Sequence, residues 1–201
     1  MKQPTLRPLE YLTGQEVVQW IGTEMAVIGG KQFNVWSDSE SLWKVEHEQV
    51  EWSHPSVPYL QFTDLDIQLS NGQAMRLLSQ LDDGTGFYGL YLVEAERMSE
   101  PSVDEASSIF RAREVVELPL GPARLEVVRQ DGPTAVVEAR IHIGGLEITL
   151  LAAEVHSRMD GTFDVVERDE SILVQVGGAR PNPSIERTRP GKPGRASHVK
   201  R

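Results

Sequence analysis

The stretch Ala139-Arg140-Ile141-His142-Ile143-Gly144-Gly145-Leu146-Glu147-Ile148-Thr149-Leu150 decides the fold class. Apolar residues take every second position on both sides of a glycine pair, which is the period of a strand with one buried face. A two-residue Gly144-Gly145 loop sets Ile143 opposite Leu146 and Ile141 opposite Ile148, so both apolar rows share one face. A slip of one residue would turn one of those rows to solvent. The register therefore predicts a tight hairpin.

The pattern continues outward. Asp131-Gly132-Pro133 joins Leu125 and Val127 to Val137 and Ala139, and Ile172, Val174 and Val176 supply a closing strand. The run from 115 to 176 reads as an antiparallel meander. Upstream, Leu65, Ile67 and Leu69 alternate with Asp66 and Gln68, and Met75, Leu77 and Leu81 return after Ser70-Asn71-Gly72. A two-residue Asn71-Gly72 loop would set Ile67 against Arg76. A three-residue loop sets it against Met75, and Leu65 against Leu77, with Gly72 in the left-handed position of a bulge.

Two places break the strand pattern. Thr13-Gly14-Gln15-Glu16 has capping-box spacing, which predicts a short helix over 14–21, in competition with a strand favoured by Val17, Val18 and Ile21. Glu94 to Arg113, with Ser99-Glu100-Pro101-Ser102 and a helical turn beginning near Val103, lacks strand character and is the candidate boundary between two halves. An echo spans it. Ser79-Gln80-Leu81-Asp82-Asp83-Gly84-Thr85 is similar to Ser157-Arg158-Met159-Asp160-Gly161-Thr162, and each follows a Leu-x-Ile-x-Leu strand. Duplication and ordinary Asp-Gly turn chemistry both account for it.

The expected fold is mainly β, an antiparallel sandwich or partly closed barrel built from hairpins, with one or two short helices. Residues 1–177 form the globular region, and the 201-residue chain is long enough to bury a real core. Residues 178–201 are rich in Pro, Gly and Arg and have the composition of a disordered segment. The wording Pro181-Asn182-Pro183-Ser184-Ile185-Glu186-Arg187-Thr188-Arg189-Pro190-Gly191-Lys192-Pro193-Gly194-Arg195 resembles tails carried by otherwise unrelated bacterial proteins, which implies a passenger segment.

Charge is segregated along the chain. The formal net charge is -10, but from Gly178 onward there are seven Lys or Arg and one acid, which leaves 29 acids and 13 bases in 1–177. Such a field disfavours nucleic acid as a partner of the body and favours a basic protein, a cation or nothing in particular. There are no cysteines, so disulfides, thiol nucleophiles and thiolate metal sites are excluded. The amino-terminal Met1-Lys2-Gln3-Pro4-Thr5-Leu6-Arg7-Pro8 lacks the apolar core of a signal peptide, and no apolar run approaches a membrane span. A soluble, cytoplasmic protein is expected.

Candidate chemistries are few. Asp82-Asp83-Gly84-Thr85-Gly86 offers oxygens to a cation, yet it falls short of the six to eight that calcium takes and reads as a hairpin tip. Histidines 47, 54, 142, 156 and 198 show no His-x-His or His-x-x-x-His spacing, so neither a metal site nor a cofactor is assigned. His47 with Glu48, or His156 with Glu154, would need a distant partner to form an acid-base pair. No Gly-x-Ser-x-Gly elbow, phosphate loop or dinucleotide motif occurs, and Gly29-Gly30-Lys31 reads as a bend. No catalytic residue is assigned. All four tryptophans, 20, 36, 43 and 52, fall in the first 52 residues; they build either core or an exposed face, and Trp36, Trp43 and Trp52 are the candidate interface.

The function expected from these features is a non-catalytic protein-binding module that engages a basic partner, in concrete form an immunity-type protein. A hydrolase-like enzyme with a dispersed acid-base site is the first alternative; it requires a deep pocket with paired carboxylates or a His-carboxylate pair. A ligand- or sugar-binding β domain is the second, and it requires tryptophans on a concave face.

Overall fold

The computed structural model describes residues 5–27, 31–37, 40–46, 50–102, 109–158, 161–177 and 186–188, with side chains over 5–27, 50–102, 109–158 and 161–177. The strands are β1 (Leu6–Arg7), β2 (Glu16–Met25), β3 (Lys31–Ser37), β4 (Glu40–Glu46), β5 (Leu60–Leu69), β6 (Ala74–Asp82) and β7 (Phe87–Ala95). They continue as β8 (Phe110–Glu114), β9 (Gly121–Asp131), β10 (Ala135–Ile143), β11 (Leu146–Ser157), β12 (Phe163–Val176) and β13 (Glu186–Thr188). The chain is mainly β, as its alternation requires.

Both decisive hairpins have the expected register. Ile143 pairs with Leu146 and Ile141 with Ile148, and Gly144 and Gly145 have φ of 58° and 82°, the two positive values that a two-residue turn of matching twist demands. In the β5–β6 hairpin Ile67 pairs with Met75 and Leu65 with Leu77, and Gly72 sits at φ 85°. The meander β9-β10-β11-β12 follows in order.

Antiparallel pairing then runs around a partial ring, β2-β5-β12-β11-β10-β9 and back to β2. Two links are short: β5 meets β12 at Leu60, Gln61 and Phe62, and β9 meets β2 at Gly121 and Pro122. β6 and β7 extend from β5, and β7 returns to β10 through Val136 and Leu90. The ring encloses one large core that includes Trp20, Phe62, Leu65, Ile67, Leu77 and Ile141. A second cluster, with Tyr59, Leu151, Val155, Phe163 and Leu173, packs on the other face of β11 and β12. β3 and β4 pair with each other as a separate two-stranded sheet.

Two local expectations are corrected. The segment 14–21 is not helical but belongs to β2, which is paired with β5 on one edge and with β8 and β9 on the other. Sheet pairing satisfies its backbone and suits Val17, Val18 and Ile21, and tertiary context overrides the capping signal. The Thr13 hydroxyl instead accepts the Leu125 amide at 3.1 Å, and the helical element lies earlier, a 3-10 turn over Leu9–Leu12. Within 94–113, Phe110–Glu114 is a strand on β2, and the turn expected near Val103 lies outside the described residues. The approach to it is tied down as well: buried Asp66 accepts two bonds from Arg76, at 2.6 and 2.9 Å, and the Ser99 amide at 2.6 Å.

Of the basic segment 178–201, Glu186–Thr188 forms a strand parallel to Asp164–Val166. That stretch of β12 lies beyond the reach of β5, so a backbone edge is open there for pairing. Among the described residues, no helix is long and apolar enough to cross a membrane.

Candidate functional site

β11 sends Ile148, Leu150 and Ala152 into the large core, and by strand alternation Glu154 and His156 continue the same face beyond its end. β12 is interrupted opposite them. Ala152 pairs with Ile172 and Ala153 with Glu167, so Arg168, Asp169, Glu170 and Ser171 form a four-residue bulge with no partners on β11. Arg168 has φ 64°, an uncommon conformation for a residue with a side chain, and its guanidinium goes to Asp131 at 2.6 Å and over the Phe87 ring. The turn of the bulge brings Asp169 toward β11. The Ser79 hydroxyl of β6 holds the Asp169 carbonyl at 2.8 Å.

The result is a cluster of one imidazole and converging carboxylates. His156 Nε2 lies 3.2 Å from Asp169 Oδ2 and 3.7 Å from Glu154 Oε1. Ser171 donates to Glu154 Oε2 at 3.2 Å, and the Glu170 amide donates to Asp169 Oδ1 at 2.9 Å. The Glu154 side chain is only 12% exposed, and burial together with the Asp169 charge raises its pKa above the usual carboxylate range. Burial and the Glu170 and Asp169 charges likewise raise the Tyr88 phenol. His156 is about half exposed, so the cluster opens to solvent.

Ser171 donates to a carboxylate and Ser79 to a carbonyl, so neither is poised on His156 as a nucleophile. Asp169, which sequence reasoning did not name, lies beside His156 and Glu154; His47 and Glu48 lie outside the described residues. A signal for Asp169 was present in the polar run Glu167-Arg168-Asp169-Glu170-Ser171 between Val166 and Ile172, too long for one strand to alternate through. A partly open cleft of about 340 Å³ lies elsewhere, lined by Gln68, Gln73, Ala74, Glu94, Glu96 and Met98.

The Asp82-Asp83-Gly84-Thr85-Gly86 string is a hairpin tip. Asp82 accepts the Thr85 amide at 2.8 Å and the Tyr91 and Thr134 hydroxyls at 2.6 Å each, so its oxygens are occupied. Trp20 is core, with its indole N–H on the Pro119 carbonyl at 2.9 Å. Trp52 is half-buried under the Arg111 guanidinium, 4.2 Å from its ring, and Arg111 also pairs with buried Glu24. Trp36 lies on β3 and Trp43 on β4, with side chains outside the described residues.

The chain matches no protein-family model, no curated protein and no solved structure.

Proposed function

We propose that the protein is a non-catalytic protein-binding module of immunity type, which engages a basic partner through a carboxylate-rich surface. The observation that supports this reading is where the arginines go. Arg7 pairs with Glu94, Arg76 with Asp66, Arg111 and Arg113 with Glu24, Arg129 with Glu167 and Arg168 with Asp131. On the described surface, exposed acids such as Glu16, Asp83, Glu114, Glu126 and Glu170 outnumber the exposed arginines, Arg97, Arg124 and Arg158. A surface of this kind steers a basic protein to contact and repels nucleic acid.

The test is a pull-down from source-cell lysate with the full chain as bait, at low and at moderate salt. A second bait carries Gln at the seven Lys and Arg positions of 178–201, which removes the attraction of that segment for acidic material. One basic protein is expected on both baits, in stoichiometric amount, with retention that weakens as salt rises. Absence of such a protein, or retention indifferent to salt, overturns the reading.

A further inference from the structure

We propose that Glu154, His156 and Asp169 form a zinc-type divalent-metal site at the β12 bulge. One ligand atom from each lies within 4.8 Å of the others, and the two separations from His156 Nε2, 3.2 and 3.7 Å, match ligands that share one ion at bond lengths of about 2 Å. The donor set is one imidazole nitrogen and two carboxylate oxygens, which suits zinc better than the all-oxygen cages of calcium or magnesium.

The outer contacts argue for a metal over an ordinary ion pair. In each carboxylate a neighbouring donor holds one oxygen, Ser171 on Glu154 Oε2 and the Glu170 amide on Asp169 Oδ1. The other oxygen of each, Oε1 and Oδ2, is the one that faces the imidazole. This is how outer hydrogen bonds fix carboxylates as single-oxygen ligands. Among the described residues, His156 is the basic side chain found beside the two carboxylates, and a single imidazole could pair with only one of them. A divalent ion neutralises both, and the three ligands leave a fourth position toward the solvent-exposed side of His156.

The experiment is titration of the chelator-stripped full chain with zinc chloride, followed by calorimetry, and in parallel with cobalt(II) chloride, followed by visible absorption. One equivalent of zinc is expected, with a four-coordinate cobalt spectrum. His156→Gln and Asp169→Asn each weaken zinc uptake at least about tenfold and abolish the cobalt spectrum, and Ser171→Ala weakens uptake about tenfold through lost orientation of Glu154. His156 is exposed enough that its substitution leaves the fold intact, which circular dichroism verifies. If Asp169→Asn unfolds the chain, the His156→Gln comparison still decides. No zinc uptake, uptake unchanged in His156→Gln with the other four histidines present, or displacement of zinc by equimolar magnesium would each overturn the proposal.

Discussion

At Asp82 three donors converge on one carboxylate: the Thr85 amide of its own turn, Tyr91 on the neighbouring strand, and Thr134 from the β9–β10 turn. These bonds, from Thr134 first and then Tyr91 and the Thr85 amide, hold the Asp82 carboxyl well below the usual carboxylate range. Burial and the Asp82 charge push the Tyr91 phenol up to about 12. A carboxylate with a depressed pKa contributes stability that is complete above its unfolded value of about 4 and fades as pH falls toward its folded value. Asp82→Asn turns an amide NH₂ toward at least one of these donors, so it is expected to lower the unfolding midpoint at pH 7. The gap from the native chain should narrow progressively as pH falls below about 4. Denaturant unfolding of both chains across acid pH checks this, and a gap that is constant with pH refutes the assignment. The turn itself was legible from Asp-Gly, but Thr134 lies 52 residues away, and no local pattern points to it. Asp66 teaches the same lesson: strand alternation turned it outward, and only the arrival of Arg76 and Ser99 allows it to sit buried.

Among the elements, hairpin registers were legible and helix against strand was not. Gly144-Gly145 and Ser70-Asn71-Gly72 each fix a register because only one alignment puts both apolar rows on one face. β2 was ambiguous because its capping signal is local while its pairing with β5, β8 and β9 is not. Its contact with β5 has a tight point that can be tested. A Cβ added at Gly22 would lie 2.5 and 2.6 Å from two ring carbons of Phe62 and 3.2 Å from Leu65 Cδ1. Phe62 is fully buried, so the ring has little room to turn away. Gly22→Ala is expected to cost about 1–3 kcal/mol, read as a lower urea midpoint at unchanged slope. Phe62→Leu in the same chain should recover part of that loss, because it removes the atoms that clash. The bulge of β12, which builds the candidate site, was visible only as a polar run with no assigned geometry.

For the whole molecule, closure of the ring rests on pairings far apart in sequence, and these were not legible. Nothing local links Leu60–Phe62 to Ile172–Val174, or Glu16 and Val17 to Gly121 and Pro122. Residues 178–201 raise the same issue at the edge of the sheet. Composition predicts a segment without structure, yet Glu186–Thr188 pairs in parallel with Asp164–Val166. Three residue pairs at an edge make a small contribution, because the other edge of this part of β12 is already bonded to β11 and Val165 packs in the second cluster. A chain that ends at Gly177 is therefore expected to unfold in one transition, within about 1 kcal/mol of the full chain. Hydrogen exchange would separate the two edges of β12. Amides of 164–166 that face β11 should keep their protection, while those turned toward the tail should exchange faster once it is removed. A large loss of stability would instead make the tail an integral strand of the sheet, and unchanged protection would mean that the edge is open in solution even in the full chain.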